Sequence, residues 1–308
     1  MQSLIGSMCG LALLAAPMAA RAQDAEQEIV VQARLSGAPM WEVTRGKSVV
    51  LLVGEIIDVP EATPWRPEQL EGATARANSV VLGIKTSVSP GDMFRVLFHM
   101  GRITNFPKGQ DPADYLSPSQ QQRLAALEQA TGKSYRKRSF MVAAYSLLRE
   151  RLKYSDDTMK DASDIVRKAA KQAKIPVRPV GELKGKDLID SLFTAAPATQ
   201  VVCLDTAMTA VEAGPAIVAA RGDAWTRFDV PAVMASPLEI ALGSCWPWTD
   251  ERFGPELRGQ WSAEIGHALD QPEVTLAVVP LRILAEEGGL LDQLKAQELA
   301  IKGPAWRK

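Results

Sequence analysis

The sequence predicts an α/β fold in which a mixed central sheet is surrounded by helices. Three features predict it. Continuous apolar runs at residues 49–53, 79–84 and 274–279 read as strands buried on both faces. Stretches with helical spacing of apolar side chains lie between them. No compositional linker divides residues 23–308, so they are expected to form a single domain. Hydrophobic residues make up 46% of the 308, enough for a sizeable core.

The leader comes first. Residues 1–22 are almost uncharged, and residues 11–20 are small and apolar. Ala20-Arg21-Ala22 gives a small-x-small pattern for cleavage before Gln23, although Lys and Arg are absent ahead of the apolar stretch. The stretch is shorter than the roughly 20 residues of a membrane span, and Asp24, Glu26 and Glu28 follow at once. A cleaved signal peptide and a periplasmic or secreted, soluble product with no stable membrane span are therefore expected. Met8 before Cys9 is too large for a lipid-attachment signal. Without the leader, Cys203 and Cys245 remain, and an oxidising compartment permits a disulfide between them. Two free thiols fit the sequence equally well.

Residues 41–59 open the fold, with a polar turn at Arg45-Gly46-Lys47 and the apolar run ending at Gly54. Pro67 suits the start of a helix along which Leu70, Ala73 and Ala77 keep helical spacing. With the run at 79–84 this makes a βαβ unit. Ser117-Pro118-Ser119-Gln120 reads as a capping box. Further helices are expected over 140–152 and 159–173. Residues 175–180 then read as a short strand, placed at an edge by Pro176 and Pro179. Residues 191–221 suggest helices broken around Pro197, with residues 201–204 open to a strand reading. Trp246-Pro247-Trp248 reads as a plug at one end of the core, with the floor of a pocket as the other reading. Over residues 255–269, Leu257, Trp261, Ile265, Ala268 and Leu269 share one helix face. Arg258 lies roughly 50° from its centre. Such an arginine needs an acidic partner, a ligand anion or solvent at its tip. Residues 289–292 open a last helix, and 300–302 add a final short strand.

The chemistry available is sparse. The net charge of -1 and the lack of a long basic run argue against a nucleic-acid partner; Arg136, Lys137 and Arg138 are the densest basic spot. The two histidines, His99 and His267, stand alone, without the companions a zinc site needs. No phosphate-binding loop and no Gly-x-Ser-x-Gly elbow is present. No cofactor is expected. Ligand sites favour the carboxyl ends of strands. That selects Glu55 and Asp58 after the first run, Lys85 after the second and Arg282 after the last.

Several segments also resemble a known family. Trp41-Glu42-Val43, the turn and the run ending at Gly54 resemble the opening of the TraB/GumN family. Tyr115-Leu116-Ser117-Pro118 resembles the approach to its helical middle, and Gly289-Leu290-Leu291-Asp292 its C-terminal motif. The family is related to TIKI-type metalloproteases and to erythromycin esterase-like and ChaN-like proteins, and the resemblance spans about residues 39–295. It implies a mixed α/β core with two Gly-x-x-His motifs, a glutamate and an arginine at one site. Ile57 stands at the first histidine position, Gly83 at the glutamate and Ile283 at the second histidine, while Arg258 matches the arginine. Isoleucine has no lone pair for a metal or proton, and glycine has no side chain.

The expectation that follows is a divergent, non-catalytic exported member of the family. It would bind a peptide, protein or envelope component through a remnant cleft, with Arg258 and Arg282 as anion-binding groups. Two alternatives stand beside it. One is a metal-dependent hydrolase or peptidase built on displaced carboxylates, Glu55 and Asp58. The other is a structural or assembly partner in the envelope, with a filled cleft and a contiguous apolar patch elsewhere.

Overall fold

The computed structural model describes residues 37–308. The expected signal peptide and Cys9 lie outside the described residues. Strands β1 (Met40–Arg45) and β2 (Ser48–Glu55) form an antiparallel hairpin. Gly46, with φ of 60°, takes the first position of its two-residue turn.

The main sheet has the order β5-β3-β7-β2-β1-β8, with β3 (Ser79–Leu82), β5 (Val177–Arg178), β7 (Val274–Pro280) and β8 (Ala300–Lys302). The neighbours β5, β3, β7 and β2 run parallel, whereas β1 pairs antiparallel with both β2 and β8. The sheet is therefore mixed, as the sequence predicts. All four residues of β3 and five successive residues of β7 are buried, as expected for strands covered on both faces. A second sheet of two parallel strands, β4 (Lys85–Ser87) and β6 (Glu182–Lys184), extends from the end of β3.

Helices surround the main sheet. α1 (Pro67–Ala75) packs on α5 (Ala162–Ala173), which also meets β2, β3 and β7. α11 (Phe253–Leu269) meets β2, β7 and α13 (Leu290–Ala296). Leu257, Trp261, Ile265, Ala268 and Leu269 are all buried along α11, on the face the sequence assigns to them. A second core belongs to the helices between β3 and β7. There α3 (Pro118–Thr131), α4 (Phe140–Leu152), α7 (Val201–Ala213) and α10 (Pro237–Gly243) enclose Leu147, Leu148, Leu204, Met208 and Leu238. A disulfide between Cys203 and Cys245 ties α7 to the residues just beyond α10.

Local signals explain several boundaries. Ser117 accepts from the Gln120 N–H and the Gln120 side chain accepts from the Ser117 N–H, so the capping box starts α3 as predicted. The predicted start of the third middle helix at residue 159 is not observed. Met159 N–H donates instead to the Val59 carbonyl at 2.9 Å, which holds the segment extended until Asp161. Residues 201–204 form the first turn of α7, not a strand. The strand reading of 175–180 shrinks to Val177–Arg178, since neither Pro176 nor Pro179 has an N–H to donate to the ladder. The short strands β4 and β6 carry weak sequence signals, whereas α2 (Pro90–Thr104) opens on a capping box of Ser89 and Asp92 with Pro90 in its first turn.

Among the described residues no single helix is long and apolar enough to cross a membrane.

Candidate functional site

Parallel pairing brings the strand ends to one edge. β2 and β7 are in register from Val49↔Val274 to Glu55↔Pro280, and β3 joins at Leu82↔Val278. Residues 55–58, 83 and 281–283 therefore emerge together. Gly54 is required by packing: a Cβ there would lie 2.6 Å from Leu281 Cδ1 and 3.0 Å from Trp41. The chain can then leave β2 close against β7.

The three positions assigned to family chemistry are dispersed in environment. Ile57 is 51% exposed and its carbonyl accepts from Arg221 Nη1 at 3.0 Å. Gly83 is exposed and turns the chain at φ 62°. Ile283 is 2% exposed and packs into the sheet core. None of them supplies a side-chain donor atom.

The charge at this edge is organised around Glu239. Its carboxylate is buried and accepts from Arg221 Nε at 2.8 Å and Nη2 at 2.7 Å. Arg282 closes on the other carboxylate oxygen. Gly243 makes the slot for Arg282, because any Cβ there would collide with the guanidinium. Burial pushes the Glu239 carboxyl up. The charges and hydrogen bonds of Arg221 and Arg282 outweigh it and hold the group below its ordinary value. Two arginines meet this one glutamate, and the half-buried Asp58 carboxylate also faces the charge of Arg221.

Arg282 also lies under the Trp248 ring, 5.2 Å from its centroid, and Arg258 Nη1 reaches the Trp248 carbonyl at 3.4 Å. The acidic partner of Arg258 is Glu286, held through both Nε and Nη2. Trp248 packs against the sheet core and a small cluster around Phe253. Both arginines named from the sequence thus stand at the edge, each already holding a carboxylate. Lys85 is not brought to them; it makes an exposed pair with Glu182 at 3.3 Å.

Glu55 and Asp58 leave β2 at the same edge, Glu55 toward α5 and Asp58 toward the charge of Arg221. Glu55 accepts from the Ser163 N–H and hydroxyl, both at 2.7 Å, and so caps the first turn of α5. Burial raises its pKa, against these hydrogen bonds. Burial likewise raises Asp58, with Arg221 opposing. Asp161, which the sequence did not single out, is pushed up to about 6 by burial and then by the charges of Glu55, Asp58 and Asp164. Burial is the larger cause, and the neighbouring carboxylates add to it. Among the described residues no three His, Cys, Asp or Glu side chains are grouped to hold a metal ion. His99 packs on Phe193 and bonds to the Arg95 carbonyl, while His267 is exposed on α11. The donors present among the described residues therefore do not fit the metal centre that the resemblance implies.

A cavity of about 450 Å³ lies elsewhere, between α6 (Gly185–Thr194), the Trp246 loop and the start of α11. Its Ser191 donates to Asp250 and accepts from Trp246 Nε1 at 3.2 Å. Asp250 in turn caps α11 through the Arg252 and Phe253 N–H groups. No histidine lines this cavity, so Ser191 has no base of that kind beside it. Trp246 lines this cavity, as a pocket-floor reading of Trp246-Pro247-Trp248 expects, while the other walls come from segments that no spacing links.

The fold and this edge can be set beside known proteins. No curated protein and no solved structure matches the chain. The model of the TraB/PrgY/gumN family matches residues 39–302, from the first strand of the sheet to the last, and the chain belongs to that family.

Proposed function

We propose that this chain is a non-catalytic, exported member of the TraB/PrgY/gumN family that binds an anionic group of a peptide, protein or envelope component at the strand-end edge. One observation carries this. Where the family resemblance calls for metal- and proton-handling side chains, the edge has Ile57, Gly83 and Ile283 beside an Arg221–Glu239–Arg282 triad in which two guanidiniums meet one carboxylate. A carboxylate or similar anion is the ligand that such an edge attracts. Export is supported by the leader pattern of residues 1–22 and by the Cys203–Cys245 disulfide, which persists in an oxidising compartment.

Calorimetry with short peptides tests the binding role. A free carboxylate should bind better than its amide, and Arg282→Met should weaken binding at least about tenfold, or roughly 1.4 kcal/mol. Arg258→Met serves as the second variant, because it leaves the triad intact. Equal binding of acid and amide, or a stoichiometric metal with peptide hydrolysis that needs Glu55, would overturn the proposal. N-terminal sequencing of the protein from an envelope extract should begin at Gln23.

An assembly role is supported by a separate observation: α2 turns a row of large apolar side chains toward solvent.

A further inference from the structure

Helix α2 is inverted. At about 100° per residue, Asp92, Arg95, Val96, His99 and Ile103 share the side turned toward the protein, and all are partly covered. Arg95 pairs there with Asp190 of α6, and His99 packs on Phe193. The opposite face carries Met93, Phe94, Leu97, Phe98 and Met100, which are 44% to 78% exposed. None of the fifteen residues of α2 is buried. At on the order of 200 Å² for a large side chain, the exposed fractions amount to roughly 600 Å². That is at the upper end of the patch sizes a monomer shows.

We propose that this face docks on the same face of a second copy of the chain, the two α2 helices antiparallel about a two-fold axis near Leu97 and Phe98. Area and shape both favour this occupant. Two such faces bury roughly 1,200 Å² in total, within the lower range of stable specific interfaces. Gly101 lies in the middle of the apolar arc, a hole between large side chains. With the axis between Leu97 and Phe98, Phe94 of each copy falls over Gly101 of the other. Met93 and Met100, on the other flank, face the partner's aliphatic side. A self-complementary pattern of this kind is what an isologous contact needs. A lipid surface fits less well. A helix lying in a bilayer interface is rich in Lys and Arg around its apolar face. Here Asp92 is held by Ser89 and Arg95 by Asp190, which leaves Arg102 to meet headgroups. The strand-end edge takes no part, so the proposal stands apart from the cleft reading and supplies the assembly role with its partner.

Sedimentation equilibrium of the purified protein over a concentration series should show a monomer–dimer equilibrium. Phe94→Glu should yield a monomer whose thermal midpoint equals that of the parent at concentrations where the parent is also monomeric, because the side chain is exposed before docking. Gly101→Leu is the sharper test. It adds apolar surface and the helix has room for it, since the nearest atom to a Cβ there is Asn105 Nδ2 at 3.4 Å. By filling the hole it should nevertheless weaken dimerisation at least about tenfold. A monomer at all concentrations, an association strengthened by Gly101→Leu, or co-sedimentation of the monomer with phosphatidylglycerol vesicles would overturn the proposal.

Discussion

Glu239 receives the Arg221 guanidinium through two nitrogens, Nε at 2.8 Å and Nη2 at 2.7 Å, with both side chains almost wholly buried. Arg282 takes the remaining carboxylate oxygen, and Arg221 reaches on to the Ile57 carbonyl. One carboxylate therefore ties α8 (Ala216–Thr226), α10, α12 (Leu281–Ala285) and the exit of β2 together.

Replacing Glu239 strands two guanidiniums in a low-dielectric site. Glu239→Gln is expected to destabilise the fold by about 3–5 kcal/mol at neutral pH. The folded carboxyl lies below its ordinary value of 4.5, so its stabilising effect is complete above that value and is lost as pH falls through the folded one. Urea unfolding at neutral and acid pH should show the variant losing less on acidification than the parent.

Asp161 has the opposite sign. Its carboxyl is raised from 3.8 to about 6, so the unfolded chain ionises first and stability declines between those two pH values. Asp161→Asn keeps an acceptor and removes the repelled charge. It should stabilise the protein by about 1–2 kcal/mol above pH 6, after allowance for solvent screening. Almost no gain is expected at pH 3, where both states are largely protonated. Thermal melts at the two pH values read this directly.

Glu55 holds the start of α5 through Ser163. Glu55→Ala should cost about 0.5–2 kcal/mol, the range for a lost helix cap. Denaturant unfolding measures the loss. On the proposed non-catalytic role, any trace peptidase activity of the preparation should be unchanged in the variant. A large activity loss at full folding would instead favour the carboxylate-hydrolase alternative.

The Cys203–Cys245 bridge closes a loop with a sequence separation of 42. For that length the chain-entropy contribution is about 4 kcal/mol. Cys203→Ser with Cys245→Ser should lower the thermal midpoint by about 10 °C. Free-thiol titration of the unfolded, unreduced parent should find neither cysteine reactive.

The sequence by itself determined the scaffold. Buried strands at β2, β3 and β7, the Ser117–Gln120 capping box and the apolar face of α11 follow from local spacing and turn chemistry, and these repeat within a few residues. It also showed that positions 57, 83 and 283 lack side chains able to ligate a metal or carry a proton, which is a matter of residue identity. Only the tertiary structure decided what those positions face. Glu239 lies 18 residues from Arg221 and 43 from Arg282 in sequence, and Glu286 lies 28 from Arg258. No spacing rule links such partners, because strand pairing and helix packing bring them together. The exposed side of α2 has the same origin. Its helical period fixes which side chains share a face, but the contacts of Arg95 and His99 decide which face turns inward.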